Sequence, residues 1–152
     1  MQPNLVYVGT YTRNGQAEGI YVFQRDPETG TLTRLSMAEA YDPSFLAFSP
    51  DKRFLFAVNE YREFAGEGEG KVSSFAVDQQ TGALTFLSQQ STRGGEPCHL
   101  TTDESGRWLI VANQSSDSLV MFSIDPQTGR LHANGQSFQI GTPSCVRFLP
   151  LH

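Results

Sequence analysis

The chain has 152 residues, with 11 Lys and Arg against 16 Asp and Glu, a formal net charge of −5. Hydrophobic residues make up 38% and aromatics 11%, alongside 14 Gly and 8 Pro. That is core material with many turns, which excludes intrinsic disorder and a coiled coil. The acidic balance lacks the footprint of a nucleic-acid binder, and the longest apolar runs, FLFAV (54–58) and WLIVA (108–112), are far too short to span a membrane.

The opening MQPNLVYVG has no basic start and no long apolar stretch, so it does not read as a secretion signal. Two cysteines, Cys98 and Cys145, do not make a disulfide framework, and both sit in apolar, strand-like surroundings. These features predict a soluble, cytoplasmic protein. The glycosylation sequon at Asn113, Gln114 and Ser115 carries little weight without a secretion signal.

Along the chain, a turn signature recurs: DPETG at 26–30, DQQTG at 78–82 and DPQTG at 125–129. Asp opens each turn and the closing Gly can take a positive φ. An alternating apolar strand precedes each turn: IYVFQR (20–25), VSSFAV (72–77) and LVMFSI (119–124). Another follows: LTRLSM (32–37), LTFLSQ (84–89) and LHANGQSF (131–138). In register with these run LVYVGT (5–10), FLFAVNE (54–60) and WLIVANQ (108–114). A last set comprises PSFLAFSPDKR (43–53), PCHLTTDESGR (97–107) and PSCVRFLP (143–150). No segment sustains a helical period.

A four-strand unit repeating about every 50 residues predicts an all-β fold, a β-propeller with four-stranded antiparallel blades. A β-sandwich is the weaker alternative, because the turns recur in register. With strands lettered a to d from the channel outward, the second unit (43–91) and the third (97–140) are complete. The first unit (4–40) has b, c and d but no a; its missing strand appears at the far end, at 142–149. Three blades are too few for a closed ring, since propellers use about 4–8. The ends therefore predict a homodimer, a six-bladed ring closed when the C-terminal strand of one copy completes the first blade of the other.

The strings YVGTYT (7–12), GIYVF (19–23), PSFLAFSPD (43–51), FLFAVNE (54–60), EPCHL (96–100), GRWLIVANQ (106–114) and DPQTGRL (125–131) together resemble the lactonase-type β-propellers that include 6-phosphogluconolactonases. The resemblance implies hydrolysis of a sugar lactone, with no cofactor. The family has seven blades in one chain. Here the start resembles its first blades and the end, TPSCVRFLP, its last blade and closing strand, with the middle blades absent. The residues proposed as catalytic in the family lie largely in those middle blades, and no position here matches them.

Candidate chemistry is instead read from polar residues at the channel-side strands. Lactone hydrolysis needs a base or a positioned water and a donor for the developing oxyanion, and a phosphorylated lactone also needs Arg or Lys. His99, on the third unit's a strand, and Glu60, ending the second unit's b strand, are the candidate bases. Tyr11, Arg62, Asn113 and Arg147 are the candidate substrate-binding residues. Each has a plainer reading, as a structural histidine or as solvated loop residues. GEGEGK (66–71) fails the P-loop pattern, with Ala65 and Val72 where Gly and Ser or Thr are required. No G-x-S-x-G elbow is present, and His99, His132 and His152 lack ligand spacing for zinc. The expected partners are a second copy and a small lactone or sugar phosphate, with neither nucleic acid nor membrane. The competing reading is a catalytically silent propeller piece or engineered scaffold that assembles into a ring.

Overall fold

A computed structural model describes residues 4–61 and 69–151. Among them are eleven strands and no helix. The first sheet joins β1 (Asn4–Val8), β2 (Gly19–Arg25) and β3 (Leu32–Glu39). The second joins β4 (Leu46–Phe48), β5 (Phe54–Asn59), β6 (Lys71–Val77) and β7 (Leu84–Ser91). The third joins β8 (Pro97–Thr102), β9 (Trp108–Asn113), β10 (Ser118–Ile124) and β11 (Leu131–Gln139). Each sheet is an antiparallel meander of consecutive strands, which is the blade of a β-propeller.

The hairpins between the third and fourth blade strands follow from the recurring turn. Asp26, Asp78 and Asp125 each accept two backbone N–H groups through Oδ1, from Glu28 and Thr29, Gln80 and Thr81, and Gln127 and Thr128. Gly30, Gly82 and Gly129 close these turns at φ of 75°, 75° and 72°, where a Cβ would be strained. Those N–H bonds hold the three carboxyls below their ordinary range.

The core lies between blades. Phe54, Phe56 and Val58 of β5 pack against Leu100, Leu109, Val111 and Phe122 of the third blade. On the opposite face, Leu55, Ala57 and Phe75 pack against Ile20 of the first. This is why β5 is buried along its whole length: both faces carry a neighbour, so its sequence reads as a continuous apolar run rather than an alternation.

One expected strand is shorter than its sequence suggests. The strand expected over 43–49 is paired in register over Leu46–Phe48, with one further bond from Val58 N to Phe45 O at 3.1 Å. The segment 142–149, expected to complete the first blade of another copy, forms no strand among the described residues. It runs beside β8 of the third blade, whereas β1 belongs to the sheet on the far side of the second blade. Among the described residues β1 is an edge strand.

Candidate functional site

Polar side chains collect where the ends of β1 and β5 meet the residues leading into β4 and β8. Tyr11 follows β1 and donates its hydroxyl to Glu60 Oε2 at 2.9 Å. Ser44, just before β4, donates its hydroxyl to the same oxygen. No described residue hydrogen-bonds Glu60 Oε1. Tyr11 is 51% exposed and Glu60 half-buried, so this carboxylate can be reached from solvent. Burial first, and then the bond and charge of Glu60, push the Tyr11 phenol above its ordinary value.

The support under this pair is Asp42, fully buried before Pro43. Its Oδ1 accepts from Thr12 N at 2.6 Å, Arg13 N at 3.1 Å and Thr12 Oγ1, and its Oδ2 accepts from Arg13 Nε at 2.7 Å. Arg13 also donates through Nη2 to the Glu60 carbonyl at 2.8 Å, and its guanidinium lies over the Tyr11 ring at 5.0 Å. One carboxylate therefore fixes the loop after β1 to the start of the second blade.

The second group surrounds His99 on β8, a buried ring packed on Phe45 with centroids 4.1 Å apart. Nδ1 accepts the Val146 N–H at 3.1 Å, which assigns the ring proton to Nε2, 3.8 Å from Cys145 Sγ. Burial, aided by the positive charge of Arg147, lowers the His99 pKa and keeps the ring neutral. Burial raises the Cys98 thiol, and the charges of Glu60, Glu96 and Cys145 add to that. Cys98 thus lies within electrostatic reach of both groups.

The structure brings Tyr11 to Glu60 and Arg147 to the surroundings of His99. Asn113 belongs to neither group. It is buried, and its Nδ2 donates to Thr92 O at 2.7 Å and to Ser118 Oγ. Its Oδ1 is buried with no hydrogen-bond partner among the described residues. The matching Asn59 Oδ1 receives Ser73 Oγ at 2.7 Å. The strand registers put Val120 in the third blade where Ser73 stands in the second, so no hydroxyl is supplied. Arg62 and most of GEGEGK lie outside the described residues. Sequence reasoning missed Arg13, Asp42 and Ser44. The available signal was the repeated Pro-x-x of PSF, PCH and PSC, which marks where each new blade begins.

Meandering antiparallel blades of three and four strands, packed face to face, define the β-propeller class. The family model described as "Lactonase, 7-bladed beta-propeller" matches residues 5–109 and 100–148, and the chain belongs to that family. The 6-phosphogluconolactonase of Bacillus subtilis is 32% identical over 119 residues, covering 78% of this chain and 32% of that protein. The 6-phosphogluconolactonase of Formosa agariphila is 32% identical over 127 residues, covering 83% and 35%. Among solved structures, the periplasmic gluconolactonase of Pseudomonas aeruginosa superposes with a TM-score of 0.76 at 36% identity, over 86% of this chain and 36% of that one. The chain thus spans about a third of the length of these relatives.

Proposed function

We propose that the chain hydrolyses a sugar lactone or a similar cyclic ester, with Glu60 as general base. The observation that carries this is the Glu60 carboxylate, fixed through one oxygen by the Tyr11 and Ser44 hydroxyls while the other accepts no hydrogen bond from a described residue. A carboxylate held this way can take a proton from a water at Oε1 as that water attacks the lactone carbonyl. The ring C–O bond then breaks, the alkoxide takes up a proton, and the product is the open hydroxy acid. The Tyr11 hydroxyl spends its single proton on Glu60 Oε2, so its part is to orient the base beside the bound lactone.

His99 suits a positioning role better than that of a base. Its available lone pair already accepts from Val146, so the ring anchors the segment that carries Arg147. Arg147 is exposed and suits the anionic end of a phosphorylated lactone. The lactonase names of the relatives support the substrate class. A cytoplasmic setting accords with the two free thiols.

The test is hydrolysis of 6-phosphogluconolactone, and of the unphosphorylated lactone, measured against the spontaneous rate. Activity on both that falls in Glu60→Gln supports the proposal. Rates equal to buffer for both lactones overturn it and leave the silent propeller scaffold as the reading.

A further inference from the structure

We propose that Cys98 and Cys145 are a peroxide-reactive pair, in which Cys145 is oxidised first and Cys98 then closes a disulfide with it. The proposal rests on how two segments of the chain meet, and it stands whether or not the chain hydrolyses lactones.

The chain has only two cysteines, and the fold sets them across one junction. Cys98 lies at the start of β8, and Cys145 lies in the segment that runs beside it. The Cys98 thiol points at the Pro143 carbonyl, with Sγ at 3.5 Å, and lies 3.8 Å from the Ser144 carbonyl oxygen. Its sulfur is therefore against the peptide that leads into Cys145. From the other side, Cys145 Sγ lies 3.8 Å from His99 Nε2, and Val146 N–H donates to His99 Nδ1 at 3.1 Å. Contacts thus cross in both directions between the two segments. A disulfide needs Cα atoms about 4.4–6.8 Å apart. A cysteine side chain is only two heavy atoms long, and here it already touches the opposite backbone, which sets a separation of that size.

The local backbone favours the approach. Pro97 pairs with Asn113 and His99 with Ala112, so Cys98 is the extra residue of a bulge in the ladder. A bulge re-aims its side chain out of the regular strand alternation, and here it leaves Cys98 facing the neighbouring segment. Cys145 is exposed. Its side chain can turn from His99 toward Cys98 between staggered rotamers without displacing a packed neighbour.

The two thiols differ in a way that orders the reaction. Burial, followed by the charges of Glu60 and Glu96, raises the Cys98 thiol and withholds its thiolate. Cys145 is the more open to a small peroxide. Its thiolate attacks the terminal oxygen of a hydroperoxide, the O–O bond breaks, and the departing alkoxide takes a proton from solvent. The product is a sulfenic acid on Cys145. Cys98 then gives up its proton and attacks that sulfur; the S–O bond breaks and the hydroxide leaves as water. Two thiols and one hydroperoxide give one disulfide, one alcohol and one water. The bridge fastens the segment that carries Arg147 to β8.

The test uses the unmodified chain, reduced and then treated with hydrogen peroxide. Both thiols are expected to disappear together, at a rate independent of protein concentration, while the mass falls by about 2 Da. Trypsin cuts after Arg93, Arg107, Arg130 and Arg147, so the two cysteines fall on different peptides. The digest is expected to contain 94–107 joined to 131–147, and dithiothreitol is expected to part them. Thiols that survive the peroxide, a Cys145 that proceeds to the sulfinic acid beside a free Cys98, or a bridge between two chains each overturns the pair. In Cys98→Ser, dimedone is expected to trap a sulfenic acid on Cys145. A trapped sulfenic acid in Cys145→Ser but not in Cys98→Ser overturns the order of attack.

Discussion

Tyr11 and Glu60 come from different blades, 49 positions apart, and share a 2.9 Å hydrogen bond across the junction. The bond exists because the loop after β1 is clamped by Asp42 at the entry of the second blade, which points Tyr11 at the end of β5. Candidate chemistry and blade packing are thus one piece of structure.

That relationship sets the first prediction. Glu60→Gln keeps the size and an acceptor oxygen but cannot take a proton. Lactone hydrolysis is expected to drop by about 10²–10⁴-fold. Tyr11→Phe removes one hydrogen bond and is expected to cost about tenfold. Both proteins should melt close to the parent temperature, because the two side chains are partly exposed. Undiminished turnover in Glu60→Gln would remove the proposed base.

Asp42 leads to a stability prediction. Asp42→Ala deprives the Thr12 and Arg13 N–H groups of their acceptor and unpairs Arg13. A loss of about 2–3 kcal/mol is expected from urea unfolding. Arg13→Lys keeps the charge but loses the fork that reaches both Asp42 and the Glu60 carbonyl. Since Arg13 is 44% exposed, about 1 kcal/mol or less is expected there. An Asp42→Ala protein as stable as the parent would show that the clamp is dispensable.

The fold was legible because its signals were local and repeated. The Asp–Gly turns, the apolar runs at β5 and β9 and the Pro-led entries each specify a strand or a hairpin without reference to distant residues. The candidate site was legible only in part. Glu60 and Tyr11 stood out as polar residues ending apolar strands, and so did Asn113. Burial separates them: Asn113 spends its amide on Thr92, a partner 21 positions away that no spacing announces. Arg13 and Asp42 escaped notice because their pairing depends on how two blades meet.

Turn glycines should be unequal despite near-identical φ. Gly30→Ala is expected to cost about 1–2 kcal/mol from backbone strain alone. Gly129→Ala and Gly82→Ala add collisions with the Phe54 ring and with Leu5, about 1–3 kcal/mol more. Comparison of denaturation midpoints at low protein concentration, where any assembly dissociates, checks the order. Equal losses at all three positions would mean that the blade contacts relax freely.

The last prediction concerns pH. Burial, with the help of Arg147, lowers the His99 pKa in the folded chain below its ordinary 6.5. The unfolded chain therefore takes up a proton here at a higher pH than the folded chain does. By linkage, stability rises with pH wherever the unfolded state binds more protons. The contribution is accordingly full above about 6.5 and is lost as pH falls through that value toward the folded one. The Asp26, Asp78 and Asp125 carboxyls, also lowered, act in a separate window below their ordinary value of 3.8. Melting temperature should thus decline from pH 7.5 to 5.5 through His99, before the aspartates contribute. His99→Phe preserves the ring packing on Phe45 and removes the titration, so its decline over that interval should be shallower than the parent's. Parallel curves for the two proteins would place the pH sensitivity elsewhere.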